Sequence, residues 1–187
     1  MRPKETSQNT TLCNILLTAR GKNMTTSFSK SFDVPCNLET LLHLMTDAGC
    51  LNRLMESSYA QNPKHSVQKS PDGKITIHIY REFEGEWPSF AQSTIGKTLS
   101  INEERVWLPV DGTTCNGSTK IKALKDKAIA DAKLSISQNG NSCSVSIAGD
   151  IKVDINMLFN KIGEEIIKKE MLEAIDLEHA HYLKELS

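Results

Sequence analysis

The sequence predicts an α+β domain in which a seven-stranded antiparallel sheet packs against one long C-terminal helix. Alternating apolar and polar residues, separated by turn signals, run through most of the stretch from residue 61 to residue 155. The apolar spacing then changes to the helical period from about Met157 to Leu186. At 187 residues, 39% of them hydrophobic and 24% charged, the chain is long enough for one well-buried core. One domain is therefore expected.

The first strand and two short helices are predicted at the start of this domain. The strand runs from Thr25 to Val34 and is closed by Pro35, which has no amide hydrogen for strand pairing. Asn37 is a good helix N-cap, and the apolar residues between Leu38 and Met45 have helical spacing. A break follows, and a second apolar run at 51–55 predicts a second short helix.

Six further strands are predicted before the final helix, each bounded by turn residues. Pro71-Asp72-Gly73 and Asn139-Gly140-Asn141 are hairpin signals, because glycine and asparagine adopt positive φ at little cost. Asp111-Gly112 and Asn116-Gly117 are expected in the turn region between the fourth and fifth strands. The six predicted strands are 61–70, 73–83, 98–108, 118–127, 130–138 and 142–155.

The N-terminal residues and the cysteines indicate where the protein resides. Residues 1–23 have no sustained apolar period, so we expect a flexible tail followed by a domain at 24–187, with Met1 or Met24 as the true start. The apolar cluster in the tail is too short for a signal peptide. Five scattered cysteines without a Cys-x-x-Cys pair favour a reducing, cytoplasmic compartment. No apolar run is long enough to cross a bilayer, so integral membrane insertion is not expected.

Several function classes lack support in the sequence. The 22 basic residues nearly cancel the 23 acidic ones, and the lysines of residues 120–127 have no interleaved aromatic residues, so nucleic acid binding is not expected. No nucleophile elbow or phosphate-binding glycine loop occurs. Glu178-x-x-His181 is half of a di-metal motif without its second half, and His179 and His181 point to different sides of a helix. No metal site, cofactor or catalytic residue is therefore assigned.

The order of elements and four segments carry a resemblance to a known fold. The segments are Phe28 to Pro35, Arg81 to Gly96 with Trp87-Pro88 and Phe90, Glu104 to Trp107, and Asp176 to Leu186. Over residues 25–187 the chain resembles the helix-grip (SRPBCC) superfamily of START lipid-transfer domains, birch-pollen allergens and polyketide cyclases. Within it, the chain is similar to a bacterial family of unknown function. The resemblance implies a curved sheet wrapped round the C-terminal helix, with a cavity for an apolar ligand between them.

One departure from the family pattern concerns the entry to the final helix. The family leads into this helix with a proline and paired glycines, whereas this chain has Asn156-Met157-Leu158-Phe159-Asn160. The entry geometry of the helix is therefore an open point of the resemblance.

Residues predicted to line the cavity come from two strands and the helix. The third strand places Ile77, Ile79 and Arg81 on one face, and the fourth strand likewise has Ile101 and Trp107 on one face. Arg81 would bind a ligand carboxylate with two hydrogen bonds, or would pair with a structural glutamate such as Glu84 or Glu103. We favour the ion pair, and we expect Trp107 to pack in the core or at its rim.

The helix contributes the remaining predicted cavity residues. At 100° per residue, its apolar arc centres between Ile166 and Ala174 and includes Glu170. A carboxylate facing the cavity would orient the polar end of a ligand or act as a general acid or base. The favoured alternative is that Glu170 lies in water or pairs with a cation, because charged residues are seldom fully buried.

These observations lead to three functional hypotheses. The first is non-catalytic binding of a hydrophobic or amphipathic small molecule, lipid-like or aromatic, between sheet and helix. The second is that large side chains fill the interior, which would make the protein an interaction or structural module. The third is an enzyme of the polyketide cyclase or dehydratase type, which would need at least two convergent polar groups in the cavity.

Overall fold

The computed structural model describes residues 25–58, 60–84, 92, 97–155 and 160–187, and over these the predicted elements are present. The predicted tail at 1–23, Trp87, Pro88, Phe90 and the helix entry at 156–159 lie outside the described residues. The strands are β1 Thr26–Val34, β2 Gln61–Lys69, β3 Ile75–Glu84, β4 Thr98–Trp107, β5 Thr114–Ala123, β6 Ala128–Asn139 and β7 Ser142–Val153. The helices are α1 Leu38–Thr46, α2 Ala48–Ser57 and α3 Asn160–Glu185.

The strands form one antiparallel sheet in the order β1-β7-β6-β5-β4-β3-β2. The edge strands β1 and β2 follow one another in the chain, and α1 and α2 connect them. Helix α3 packs on β1 and β7 and also contacts α1 and α2. One face of the sheet carries the core, and the opposite face is polar. This arrangement confirms the predicted helix-grip fold. No helix in the described ranges is both long and apolar enough to span a membrane.

Side-chain caps begin both short helices. The Thr40 amide donates to the Asn37 side chain at 2.8 Å, which confirms the predicted N-cap of α1. The Cys50 amide donates to the Asp47 carboxylate, also at 2.8 Å, so the predicted break between the helices is the cap of α2. Such caps satisfy amide hydrogens that have no partner within the helix.

The predicted turn at Asn116-Gly117 is wrong, because both residues lie within β5. The Asp111-Gly112 turn alone connects β4 to β5, and Gly112 has a φ of 58°. Gly117 is a glycine for a different reason: a Cβ there would lie 2.4 Å from the Val106 carbonyl oxygen and 2.8 Å from the Trp107 ring. The missing side chain leaves room for the buried indole.

The predicted strand at 118–127 also ends too late. Strand β5 ends at Ala123, and a tight turn follows in which Leu124, Lys125 and Asp126 have φ values of 56°, 55° and 65°. No glycine marks this turn, so the sequence offered no turn signal there. The buried Leu124 side chain packs into the core and holds the turn in place.

The predicted buried face of α3 is wrong. Ile166, Glu170 and Ala174 are exposed, and the buried residues are Gly163, Glu164, Ile175, Glu178, His181 and Tyr182. Gly163 permits close approach to Val153, since a Cβ there would lie 3.2 Å from a Val153 methyl carbon. Glu164 is buried because the Thr26 hydroxyl donates to its carboxylate at 2.7 Å. A pattern based on hydrophobicity cannot anticipate glutamates that are buried with partners.

Candidate functional site

Four charged side chains and a tyrosine meet between the inner face of the sheet and α3. We call this group the buried ion network: Arg81, Glu103, Arg105, Glu178 and Tyr182. Because alternate residues of a strand share one face, Arg81 of β3 and Glu103 and Arg105 of β4 all lie on the inner face of the sheet. The i, i+4 spacing of Glu178 and Tyr182 places both on the same face of α3. The network therefore links the middle of the sheet to the C-terminal half of the helix.

Glu103 is the centre of the network on the sheet. Arg81 Nη2 donates to Glu103 Oε2 at 2.8 Å, while Arg105 donates to Oε1 through Nε at 3.0 Å and Nη2 at 2.8 Å. The Thr119 hydroxyl also donates to Oε1, at 3.2 Å. Burial alone would raise the pKa of Glu103, but Arg105 and Arg81 outweigh it and hold the pKa below its ordinary value. Glu103 is therefore an ionised carboxylate in the interior.

Arg105 joins the sheet to the helix. Its Nη1 donates to Glu178 Oε1 at 2.6 Å, and its Nη2 reaches Oε2 at 3.2 Å. The Tyr182 hydroxyl donates to Glu178 Oε1 as well. Burial would lower the pKa of Arg105, but Glu178 and Glu103 raise it well above its ordinary value. Burial and then Glu178 raise the pKa of Tyr182. All four carboxylate oxygens accept hydrogen bonds, so the network holds the helix on the sheet.

One buried donor of the network has no partner. Arg81 Nε is inaccessible to solvent and makes no hydrogen bond within the part of the chain that the structure describes. Arg81 lies directly across from Ile101 in the β3–β4 register, and Ile101 lies across from Ala123 in the β4–β5 register. Phe83 and Leu99 form the next pair on the same face of β3 and β4. We call these five residues the Arg81 patch.

The apolar members of the Arg81 patch are only half buried, although they are on the core face of the sheet. The described part of α3 packs mainly on β1 and β7, and reaches β4 through the Arg105–Glu178 pair. A buried polar group without a partner is costly, and such groups are few in native proteins. An unpaired donor beside half-buried apolar surface is a combination typical of a small-molecule site.

The structure separates the residues predicted to line a cavity into three groups. Ile77, Ile79 and Trp107 are buried in the core, and Trp107 fills the space beside Gly117. Arg81 and Ile101 lie in the Arg81 patch, and Arg81 makes the favoured ion pair with Glu103. The three predicted residues of the helix, Ile166, Glu170 and Ala174, are exposed and do not face the interior. Whether any of the interior residues contacts a ligand stays a prediction.

The sequence does not predict Glu178 or Tyr182 as a partner of Arg105. Their i, i+4 spacing was a signal that both lie on one helix face. Their partner is 73 residues away from Glu178 in the sequence, so only the fold brings them together.

Two open grooves lie on the outer, polar face of the sheet. One, of about 570 Å³, is lined by residues that include Lys64, His78 and Tyr80. The other, of about 630 Å³, is lined by residues that include Ser27, Lys133 and Asp150. Neither groove lies between the sheet and α3. The predicted interior cavity therefore stays a prediction.

Comparison with a family model places the chain in a family. Residues 29–184 match the model described as "Protein of unknown function (DUF2505)". The chain belongs to this family. The match runs from within β1 to nearly the end of α3. No curated relative matches the chain.

Solved structures with the same fold belong to the START and related groups. Human STARD10 matches with a TM-score of 0.56 at 13% identity, over 96% of this chain and 81% of that one. A START superfamily protein from Mycobacterium smegmatis matches with 0.52 at 14% identity, over 86% and 99%. Norcoclaurine synthase from Thalictrum flavum, in complex with dopamine and hydroxybenzaldehyde, matches with 0.50 at 13% identity, over 87% of each chain. These matches show a START-like fold.

Proposed function

We propose that the protein binds an amphipathic small molecule on the inner face of the sheet, with the polar end of the ligand at Arg81. The observation that carries this proposal is the buried Nε of Arg81, which has no acceptor among the described residues. The half-buried side chains of the Arg81 patch supply apolar surface for the rest of the molecule. Norcoclaurine synthase, which has the same fold, holds small aromatic molecules.

The charges of the network indicate which polar group the ligand carries. Arg81 and Arg105 balance Glu103 and Glu178, so the network has no net charge. A ligand carboxylate would add an uncompensated buried charge, which is expensive in a low-dielectric interior. A carbonyl or hydroxyl oxygen would accept from Arg81 Nε without that cost. A lipid-like or aromatic ketone, ester or alcohol is therefore the favoured class, instead of the carboxylate considered from sequence.

Binding is favoured over catalysis by the state of the acidic side chains. Glu170, the candidate acid or base from the sequence, is exposed. The oxygens of Glu103 and Glu178 already accept hydrogen bonds from arginine, threonine or tyrosine. A general base needs a free lone pair within reach of its substrate. Each oxygen of these two carboxylates is already held by at least one donor, so we assign them a structural role.

Native mass spectrometry of the freshly purified protein, followed by organic extraction, tests this proposal. We expect a co-purifying compound that has an apolar body and a carbonyl or hydroxyl group. Added fatty alcohol should bind wild type roughly ten- to a hundredfold more tightly than Arg81→Lys, because one hydrogen bond to a charged donor is lost. Arg81→Lys keeps a cation beside Glu103 and removes the Nε donor, so the fold should be retained.

A matched control separates this site from the outer grooves. His78 lies on β3 three residues before Arg81 but on the outer face, where it faces Glu104. His78→Ala should leave binding of the fatty alcohol unchanged. Equal affinities of wild type and Arg81→Lys, or loss of binding in His78→Ala, would contradict the proposed site.

A further inference from the structure

Three side chains with metal-binding atoms meet where α2 packs on the C-terminal end of α3. They are Cys50, His181 and Glu185, and their ligand atoms all lie within 4.8 Å of one another. Cys50 Sγ is 3.3 Å from His181 Nε2, which is 3.7 Å from Glu185 Oε1. We call these three residues the Cys50 cluster. It is independent of the proposed ligand site, because it shares no residue with the Arg81 patch.

Local structure positions each member of the Cys50 cluster. The Asp47 cap fixes Cys50 in the first turn of α2, where the cysteine is 1% exposed. The i, i+4 spacing of His181 and Glu185 places both on one face of α3. His181 is 7% exposed. The cluster is therefore built from two rigid helices and is largely shielded from solvent.

The surroundings of His181 Nε2 favour an ion over a set of hydrogen bonds. Cys50 Sγ, the Cys50 carbonyl oxygen at 3.2 Å and Glu185 Oε1 all lie around this one atom. A ring nitrogen carries either one hydrogen or one lone pair, so it can make only one good bond among the three. An ion among Sγ, Nε2 and Oε1 would bind all three atoms at once.

The distances agree with tetrahedral zinc coordination. Typical zinc bond lengths are about 2.3 Å to sulfur and about 2.0–2.2 Å to nitrogen and oxygen. At tetrahedral angles, these bond lengths place a sulfur and a nitrogen ligand about 3.6 Å apart, and a nitrogen and an oxygen ligand about 3.4 Å apart. Two of the three distances in the cluster, 3.3 Å from sulfur to nitrogen and 3.7 Å from nitrogen to oxygen, are each within about 0.3 Å of these values, and the third, from sulfur to oxygen, is at most 4.8 Å. Small side-chain rotations would complete the site.

Arg53 supports the carboxylate of the cluster. It donates to Glu185 Oε1 through Nε at 2.7 Å and to Oε2 through Nη2 at 2.6 Å. With Oε1 on an ion, the bond to Oε2 would still orient the carboxylate, as outer partners of metal ligands commonly do.

We propose that the Cys50 cluster is a binding site for a zinc-class dication. The Cys50 thiolate, His181 Nε2 and one oxygen of Glu185 are the protein ligands, and water takes the fourth position. The thiol proton is released to solvent on binding, since thiolate is the ligand form. Mixed sulfur, nitrogen and oxygen ligands suit zinc better than calcium or magnesium.

A nucleophilic role for Cys50 fits less well. Burial and the nearby Glu185 raise the pKa of Cys50 to about 11, so without an ion it is a thiol and a poor nucleophile. Its burial would also keep substrates from reaching the sulfur. The sequence signal for this site is His181-x-x-x-Glu185, whose i, i+4 spacing puts both side chains on one helix face. No sequence pattern joins that pair to Cys50, which is 131 residues away from His181.

Cobalt(II) titration of the full, untagged, chelator-treated chain tests this site. We expect one equivalent of Co²⁺ to produce a thiolate-to-cobalt charge-transfer band and the visible bands of tetrahedral coordination. Zinc should displace the cobalt and raise the melting temperature of the protein. Cys50→Ser should abolish the charge-transfer band. Failure of wild type to develop that band, or its persistence in Cys50→Ser, would overturn the proposal.

Two further variants keep the test independent of folding defects. Cys115→Ser changes another buried cysteine, whose thiol donates to the Leu108 carbonyl at 3.2 Å, and should retain the full band. Glu185→Gln should fold with wild-type circular dichroism and bind cobalt at least about tenfold more weakly, since one charged ligand is lost. Loss of the band in Cys115→Ser, or wild-type affinity in Glu185→Gln, would also contradict the site.

Discussion

At the scale of single residues, Glu103 makes the stability of the protein depend on pH. Its pKa in the folded protein is below the ordinary value of 4.5, because Arg105 and Arg81 outweigh the effect of burial. A lowered folded pKa contributes stability above the unfolded value, and this contribution is lost as the pH falls through the folded pKa. We therefore expect the free energy of unfolding to decrease as the pH falls below about 4.5.

Urea denaturation of wild type and Glu103→Gln at several pH values checks this expectation. The variant should be less stable than wild type at neutral pH, and its stability should vary less between neutral and acidic pH. Glu104→Gln is the control, since Glu104 is an exposed neighbour on the outer face. Identical pH profiles for wild type and Glu103→Gln would show that Glu103 does not carry this dependence.

Gly117 gives a second test at a single residue. Gly117→Ala would place a methyl group against the Val106 carbonyl and the Trp107 ring, and we expect a loss of about 1–3 kcal/mol in the free energy of unfolding. Asn116→Ala, on the exposed face of the same strand, should change it by less than about 0.5 kcal/mol. Thermal or urea unfolding of both variants measures the difference. Equal effects would mean that β5 and β4 can separate to accept the side chain.

At the scale of the helix, the buried face of α3 is tested by a pair of isoleucines. Ile175 is 7% exposed, whereas Ile166 is 37% exposed. Ile175→Ala should lower the free energy of unfolding by about 2–5 kcal/mol, as large-to-small changes in cores do. Ile166→Ala should lower it by less than about 1 kcal/mol. Urea denaturation measures both, and a larger effect of Ile166→Ala would restore the face predicted from sequence.

The elements differ in how well the sequence predicts them. Strand alternation, Asn37 and the two hairpin signals act through local chemistry, so β1 to β4, β6, β7 and both short helices lie close to where the sequence predicts them. The turn after β5 uses positive φ at three residues that are not glycine. The register of α3 depends on buried glutamates whose partners lie in other elements, such as Thr26 for Glu164. Such features are fixed by tertiary contacts, which a local pattern does not contain.

At the scale of the whole molecule, the candidate site could be predicted only in part. Arg81, Ile101 and the Arg81–Glu103 pair follow from alternation along neighbouring strands. The hydrogen bonds from Arg105 to Glu178 form only when α3 lies at one particular position on the sheet, and the local sequence pattern does not determine that position. The network and the Arg81 patch thus come from the assembled fold, in which β1 and β7 support the helix while β3 and β4 present the unpaired donor.

The Nε–H resonance of Arg81 in ¹⁵N-labelled protein tests the central claim most directly. Titration with a fatty alcohol should shift this resonance saturably, because the ligand oxygen becomes its acceptor, while the amide signals of His78 and Lys120 on the outer face stay in place. Arg81→Lys, which lacks this resonance, should show weaker binding in the same titration. Saturable shifts confined to the outer face, with the Arg81 signal unchanged, would contradict the account.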